Sequence, residues 1–296
     1  MRYAIITDET VNELYGLQVS KQFQNAPVFT FPAGERFKTR ETKQKLEDAL
    51  LTAGYNRDTT LIALGGGVVT DLVGFLASTF CRGVNLILIP TTLLAMVDAS
   101  IGGKTGVNTV YSKNTIGTFY EASQTMIDLN FLKTLPEREL FNGYVEMWKA
   151  GLIADPDYFD HWDPLAIERA RKIKTEIVQA DPFDRGIRRT LNLGHTLGHA
   201  FETVSQYTLS HGEAVAAGIV LEAQLSVEIG LLSDEEFAKI KARFPKPQIS
   251  LDPDAILHTL RLDKKGIFRF ILLKAIGNPI ECEVPETLIR KVLYTS

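Results

Sequence analysis

Three of the five histidines in this chain of 296 residues fall between positions 195 and 211. His195 and His199 lie in LNLGHTLGHAFE, each directly after a glycine, and His211 lies in TLSHGEAVAAG. Side chains four apart on a helix share one face, so His195 and His199 point into one volume, which suits metal binding or proton transfer. A lone pair of this kind is equally compatible with two half-buried imidazoles bonded to backbone, but a third histidine close by makes that bland reading less comfortable. In GYVEMWKAG, Glu146 and Lys149 stand three apart on one helical face, a spacing that ordinarily gives a surface ion pair. Glu146, His195 and His211 together offer one oxygen and two nitrogens, a set that holds a divalent metal and leaves positions open for substrate. In DPFDRGIRRTLNLGH, Asp181, Arg188 and Asn192 precede His195. Arg188 and Asn192 lie roughly on the helical face of His195, two turns and one turn before it, so one helix is expected to present a guanidinium, an amide and two imidazoles.

Such groups need elements to hold them. The first third of the chain alternates short apolar runs with helical patterns. YAIIT (3–7), APVFTF (26–31), TTLIAL (59–64) and VNLILIP (84–90) read as buried strands, and RETKQKLEDALLTAG (40–54) as an amphipathic helix. Strands separated by helices imply βαβ units and a parallel sheet. After position 134 the texture changes to long helical patterns: LPERELFNGYVEMWKAGLI, PLAIERARKIKTEIVQA and GEAVAAGIVLEAQLSVEIG. Only FRFILL and IECEV read as strands there, forming a late hairpin. The length favours two domains over one. The expectation is an α/β fold with a Rossmann-like nucleotide-binding domain over 1–134, built on a parallel sheet, and a mainly α-helical domain for metal and substrate over 135–296. The boundary falls where Pro136 opens the first long helix.

TTLIAL runs into GGGVVTDLVGF, where Gly65, Gly66 and Gly67 lead from strand to helix. Glycines at that turn let backbone amides approach a pyrophosphate, and the helix N-terminus favours the anion. The run is not G-x-G-x-x-G, and a tight turn without ligand has the same composition. Asp8 after the first strand, and Glu35 and Lys38 in GERFK, put polar groups at the ends of neighbouring strands, where open α/β sheets bind ligands. In PTTLLAMVDASIGGKTGVN and the following YSKNTIG, the residues Thr91, Thr92, Asp98, Lys104, Lys113 and Asn114 surround a glycine pair. Loop lysines are usually only solvated, but two beside glycine turns can clamp an anionic substrate. A metal near a nicotinamide suits polarising an alcohol while hydride leaves its carbon.

Composition excludes other classes. With 45% hydrophobic and 23% charged residues the chain is that of an ordinary globular protein. A net charge of -4 and a pI near 5.8 give no electrostatic footprint for nucleic acid. No long uncharged apolar run and no signal-peptide pattern is present, so neither a membrane partner nor export is expected. Cys81 and Cys282 match no metal or redox spacing and fit a reducing compartment. The expected location is the cytoplasm.

At this point the sequence resembles the 3-dehydroquinate synthases of the shikimate pathway. The stretches that carry the resemblance are GGGVVTD, RGVNLILIPTTLLAMVDASIGGKTGVN, KNTIGTFY, LKTLPEREL, EMWKAGLIAD, LNLGHTLGHAFE, SHGEAVAAG and LDKK, which span most of the chain. The resemblance implies an N-terminal nucleotide-binding domain and an α-helical C-terminal domain, with NAD and a divalent metal in the cleft between them. The metal is usually zinc, with cobalt as an alternative, and Glu146, His195 and His211 fall on the metal-ligand positions. It also implies a reaction in which NAD+ oxidises the C5 alcohol of 3-deoxy-D-arabino-heptulosonate 7-phosphate and so acidifies the C6 hydrogen. Phosphate then eliminates, NADH returns its hydride, the ring opens and an aldol closes the carbocycle of 3-dehydroquinate.

Each matched residue takes an implied role. His199 shares in proton removal, with Lys149, Lys104 and Asn192 in the catalytic set. Lys104, Asn114, Arg188 and one of Lys264 and Lys265 bind the phosphate, while Lys149, Lys174 and Asn192 face the substrate carboxylate. Asp8, Glu35, Lys38, Gly66, Gly67, Asp71, Thr91, Thr92, Asp98, Lys104 and Lys113 match cofactor-side positions. The resemblance further implies a homodimer in which Arg82, in STFCRGVNL, reaches the phosphate site of the neighbouring subunit. An arginine there otherwise reads as a charge offsetting the C-terminal end of a helix.

Departures from the family pattern touch other positions. Relatives commonly carry a further strand and turn of roughly thirty residues before the segment matching YAIITDE. Thr10 and Thr70 stand where asparagine and glycine are usual. Rival readings are a related cyclase such as a 2-deoxy-scyllo-inosose or epi-valiolone synthase, a glycerol-dehydrogenase-like oxidoreductase, and an inactive binding protein. Lys149, Lys174, Arg188 and Asn192 together favour a substrate with both a carboxylate and a phosphate.

Overall fold

The computed structural model describes residues 2–161, 165–206, 208–244, 251–264 and 268–295. The chain divides into two compact units, Met1–Leu140 and Phe141–Ser296.

The first unit is built on a parallel sheet. Its strands are β1 (Arg2–Asp8), β2 (Val28–Phe31), β3 (Thr59–Gly65), β4 (Asn85–Pro90) and the short β7 (Gln124–Thr125), in the order β2-β1-β3-β4-β7. Every residue of the central strand β3 is buried. Both faces of a parallel sheet are covered, which is why TTLIAL is continuously apolar rather than alternating. Ile62 pairs with Ile5 of β1 on one side and Ile87 of β4 on the other. The helix Gly67–Thr79 lays Val69, Leu72, Val73 and Leu76 on one face, against Leu61, Ala63, Leu86 and Leu88. On the other face Ile5, Ile62, Leu64, Ile87 and Ile89 pack with Val19, Met96 and Phe131. The register brings Asp8, the Gly65–Gly66 turn and the Pro90–Thr91 step to the carboxyl ends of adjacent strands. That is the edge at which such sheets bind ligands.

One element of this unit was not expected from the sequence. Residues 104–119, which read as glycine-rich loops, form the antiparallel pair β5 (Lys104–Val107) and β6 (Ile116–Phe119), with Gly106 directly opposite Gly117. Glycines that look like turn residues here let two backbones pair.

Among its described residues the second unit is helical apart from the antiparallel hairpin of β8 (Arg269–Ala275) and β9 (Asn278–Glu283). The three long patterns become the helices Glu137–Ala154, Ala166–Ala180 and His211–Glu228. The last is buried along most of its length, so its sequence is apolar on all sides. A reciprocal cap starts it: the Glu213 amide donates to Ser210 Oγ, and the Ser210 amide donates to Glu213 Oε2 at 2.6 Å.

The expectation of one helix through Arg188, Asn192 and His195 is corrected by the structure. Ile187–Asn192 is a separate 3₁₀ turn, Leu193 is not helical, and a new helix, His195–Val204, begins only after Gly194 at φ +78°. The break has a packing cause. A Cβ on Gly194 would lie 2.4 Å from Ile219 Cγ1 and 2.8 Å from the Val215 carbonyl, and a Cβ on Gly218 would lie 2.0 Å from the Gly194 carbonyl. A Cβ on Gly198, one turn on, would lie 3.3 Å from the Ala214 carbonyl and the Val215 backbone. The glycine before each histidine is therefore the contact face on which this helix lies against His211–Glu228. Gly218→Ala is expected to force these helices apart and lower stability by about 2 kcal/mol, measured by denaturant unfolding of the metal-free protein.

Candidate active site

Three helices of the second unit converge on one set of donors. Glu146 comes from the middle of Glu137–Ala154, while His195 and His211 are each the first residue of a helix. Their ligand atoms all lie within 4.8 Å of one another. The Nε2 of His211 is 3.3 Å, and that of His195 3.7 Å, from Glu146 Oε1. Asn142, one turn before Glu146, fixes the geometry by accepting the Gly212 amide at 2.7 Å, which ties the carboxylate's helix to that of His211. The ring of His195 is oriented from behind: Nδ1 lies 3.1 Å from the Leu193 carbonyl. A carbonyl only accepts, so Nδ1 carries the hydrogen and the Nε2 lone pair faces the cluster. Behind His211, Nδ1 is 3.8 Å from the buried carboxylate of Glu202. An oxygen and two imidazole nitrogens, both imidazoles braced from behind, make a set that could hold a divalent metal and leave positions open.

The charges of this cluster are taken out of water. Glu146 and Lys149 are 4% and 3% exposed and form a close ion pair, so their i,i+3 spacing is not the surface pair that it ordinarily signals. Burial alone would raise the Glu146 carboxyl, but the Lys149 ammonium, the His211 hydrogen bond and the charge of His195 hold it well below the usual carboxylate range. His195 is pushed well below its ordinary value, first by burial and then by Lys149. Burial pulls His211 the same way, but Glu146 and Glu202 outweigh it and raise the imidazole to about 9.

The remaining residues of interest in this unit surround the set. His199, one turn after His195 with ring centroids 5.5 Å apart, is exposed and stands outside the three-ligand group. Arg188 is buried, and its turn is organised by Asp181, whose carboxylate accepts the amides of Arg185, Gly186 and Arg188. The Arg188 guanidinium donates to the Pro182 carbonyl at 2.6 Å. Asn192 is exposed at the end of the Ile187–Asn192 turn, and Lys174 is half-buried on Ala166–Ala180. Lys264 closes the helix Pro253–Lys264, and Lys265 lies outside the described residues.

In the first unit, Gly66 precedes the helix Gly67–Thr79, and no side chain caps that end. A Cβ on Gly66 would sit 2.9 Å from Thr92 Cγ2, so bare backbone fills the turn. An uncapped helix start reached by glycine is a fitting seat for a diphosphate. Lys38, 3% exposed, is 3.0 Å from Asp71 and 3.3 Å from Glu35. Burial would lower its ammonium, but the two carboxylates more than compensate and raise it. Asp8 is used locally, accepting the Val11 amide at 2.9 Å. Thr91 is buried beyond β4, Thr92 Oγ1 accepts the Ala95 amide, and Asp98 lies on the π-helical turn Ala95–Ala99. Lys104 begins β5, while Lys113 and Asn114 lie between β5 and β6, Asn114 at φ +54°. Arg82 is exposed after the helix Gly67–Thr79, and it and Cys81 both have positive φ.

Four supporting residues escaped the sequence reading: Asn142, Glu202, Glu222 and Asn108. Asn108 ties the loop before β6 to the Glu35 turn, its amide donating to the Lys38 carbonyl at 2.7 Å and its Nδ2 to Glu35 Oε1 at 2.7 Å. Glu202 stands seven after His195 and so on its helical face, a signal open to view. Glu222, within GEAVAAGIVLEAQLSVEIG, is equally conspicuous as the acid that follows the apolar run from Ala214 to Leu221.

Comparison with known proteins is consistent along the chain. Residues 28–142 match the family described as 3-dehydroquinate synthase N-terminal, and residues 143–266 match its C-terminal counterpart. The 3-dehydroquinate synthase of Nitrosospira multiformis is 42% identical over 320 aligned positions, covering 99% of this chain and 87% of that protein. Among solved structures, a 2-deoxy-scyllo-inosose synthase complexed with carbaglucose-6-phosphate, NAD+ and Co2+ superposes with a TM-score of 0.91 at 28% identity, covering 99% of this chain and 90% of that one. The 2-epi-5-epi-valiolone synthase of Streptomyces hygroscopicus subsp. jinggangensis, with NAD+ and Zn2+ bound, gives 0.90 at 31% identity with the same coverage. No helix among the described residues is long and apolar enough to cross a membrane.

The raised His211 value has a measurable outcome. An imidazole at about 9 in the folded protein, against its ordinary value of 6.5, stabilises the metal-free fold fully below pH 6.5, and this contribution is lost as pH rises through about 9. At pH 7.5 His211 therefore carries a proton that a metal must displace. Zinc uptake is expected to release about one proton per ion, read by titration calorimetry in buffers of different ionisation enthalpy.

Proposed function

The chain belongs to the 3-dehydroquinate synthase family, and from that premise we infer how its own residues carry the conversion of 3-deoxy-D-arabino-heptulosonate 7-phosphate into 3-dehydroquinate and phosphate. The observation that carries this reading is the convergence of Glu146, His195 and His211 within 4.8 Å. A divalent metal held by these three, zinc in our reading with cobalt as substitute, supplies Lewis acidity toward the substrate hydroxyls, and NAD supplies a hydride acceptor regenerated in each cycle.

The chain's own groups bind, orient and move protons. His199, exposed beside His195, takes up the hydroxyl proton and exchanges it with solvent. Lys104, Asn114, Arg188 and a lysine of the pair Lys264 and Lys265 hold the phosphate, which leaves as a bound anion. Arg188 suits this task because its turn is fixed in advance by Asp181. Lys149, Lys174 and Asn192 orient the carboxylate end, with Lys149, Lys104 and Asn192 completing the catalytic set. The backbone at Gly66 and Gly67 receives the dinucleotide's phosphates. Asp8, Glu35, Lys38, Asp71, Thr91, Thr92, Asp98, Lys104 and Lys113 position the rest of it. Two free cysteines, Cys81 and Cys282, fit a cytoplasmic setting.

The expected outcome with zinc-loaded enzyme is phosphate release from the heptulosonate phosphate without accumulation of NADH, both followed together by a coupled phosphate assay and absorbance. NADH rising in proportion to product would mark an ordinary dehydrogenase.

The same reading includes a homodimer in which Arg82 completes the partner's phosphate site. Arg82→Ala and Glu146→Ala then damage different sites of a mixed dimer, leaving one site intact. Random pairing makes about half the dimers mixed, so equal coexpression is expected to restore about a quarter of wild-type phosphate release. Activity no higher than the parents' mean, with mixed dimers verified by differential tags, would confine Arg82 to its own subunit.

A further inference from the structure

Glu222 is a carboxylate with no measurable exposure, on the buried helix His211–Glu228, among Ile219, Val220, Leu221 and Ala223. Burying an ionised carboxylate is costly unless it is bonded. Its Oε2 accepts the Gly194 amide at 2.6 Å. That N–H belongs to the same peptide group as the Leu193 carbonyl, and the carbonyl receives Nδ1–H of His195 at 3.1 Å. The three groups form one line: carboxylate, peptide, imidazole. The two hydrogen bonds hold this peptide from both ends, and Gly194, at φ +78°, has no room for a side chain: a Cβ there would lie 2.4 Å from Ile219 Cγ1.

We propose that Glu222 is a positioning residue for the metal ligand His195, acting through the Leu193–Gly194 peptide. A carboxylate accepting from one end of a peptide group polarises it and makes the carbonyl at the other end a stronger acceptor. The stronger acceptor holds the His195 ring in the tautomer that presents Nε2, and it raises the basicity of that nitrogen toward a metal. Both ligand histidines thus have a carboxylate behind them: Glu202 directly at 3.8 Å from His211, and Glu222 through one peptide from His195. A plain helix cap would need only an acceptor at this place. Exchange of the carboxylate for an amide, which keeps an acceptor at this place, therefore distinguishes tuning from capping.

This inference rests on the assignment of His195 as a metal ligand, so the experiment tests both. Zinc affinity is measured by chelator competition on full-length wild type, Glu222→Gln, Glu222→Ala and His195→Ala, with thermal unfolding of each metal-free protein as the control for folding. Glu222→Gln keeps the size and an accepting oxygen but not the charge. It is expected to weaken zinc binding about tenfold, to move the His195 Nδ1–H proton resonance upfield, and to leave the metal-free melting temperature within about 2 °C of wild type. Glu222→Ala, where it folds, should weaken zinc binding further. Wild-type affinity and an unmoved resonance in Glu222→Gln, while His195→Ala loses the metal, would overturn the role of Glu222 and leave the ligand assignment standing. Zinc affinity unchanged in His195→Ala would overturn the ligand assignment and the inference with it.

Discussion

The close approach of two helices, His195–Val204 and His211–Glu228, is the constraint on which the metal-binding geometry depends. Backbone meets backbone at Gly194, Gly198 and Gly218, where any Cβ would collide or crowd its neighbour. Two helices separated by ordinary side chains lie 8–10 Å apart. The glycine contact brings these two closer than that and fixes where their first residues stand, with the imidazoles of His195 and His211 at 5.3 Å between ring centroids. The same contact breaks the chain at Gly194, sends the Leu193 carbonyl toward the His195 ring, and lets Glu222 reach the Gly194 amide. The helix Glu137–Ala154 is then tied in by Asn142, and Glu146 completes the donor set.

Electrostatics complement this geometry. The buried Glu146 carboxylate is compensated chiefly by the Lys149 ammonium and by the hydrogen bond to His211. The two histidines respond oppositely to one environment. His195 lies where Lys149 and burial act together, and His211 lies between two carboxylates. A cation entering this set meets one imidazole that is already neutral and one proton that has to leave.

Much of this was legible in the sequence. The parallel sheet follows from four apolar β-branched runs, and its central strand is buried as the absence of alternation in TTLIAL requires. Glu146, His195 and His211 could be grouped as one donor set because histidine is rare here and two of them stand close in sequence, although Glu146 lies 65 positions from His211. What the sequence did not reveal was conformational. The run from Arg188 to His199 has helical spacing throughout, and only the collision of Gly194 with Ile219 and Val215 shows why the helix restarts. Likewise the glycines of residues 102–117 signal turns by composition, yet Gly106 and Gly117 face each other across a strand pair. Glycine announces that a backbone does something unusual, without saying whether it turns or approaches a neighbour. Glu146 and Lys149 look like a surface pair because i,i+3 spacing carries no information on burial, which here comes from helices distant in sequence.

The arrangement of the ligands along the chain also sets an order of assembly. His195 and His211 belong to one helical hairpin whose contacts are local, and such contacts form early because little chain entropy is lost in closing them. Glu146 is 65 positions from His211 and joins only when a far longer loop closes. Bringing His195 and His211 together therefore costs less chain entropy than bringing in Glu146, although Glu146 leaves the ribosome before either of them. Any cross-link between the two imidazoles closes a short loop, whereas one that includes Glu146 closes a loop about four times as long and lowers the entropy of the unfolded chain more.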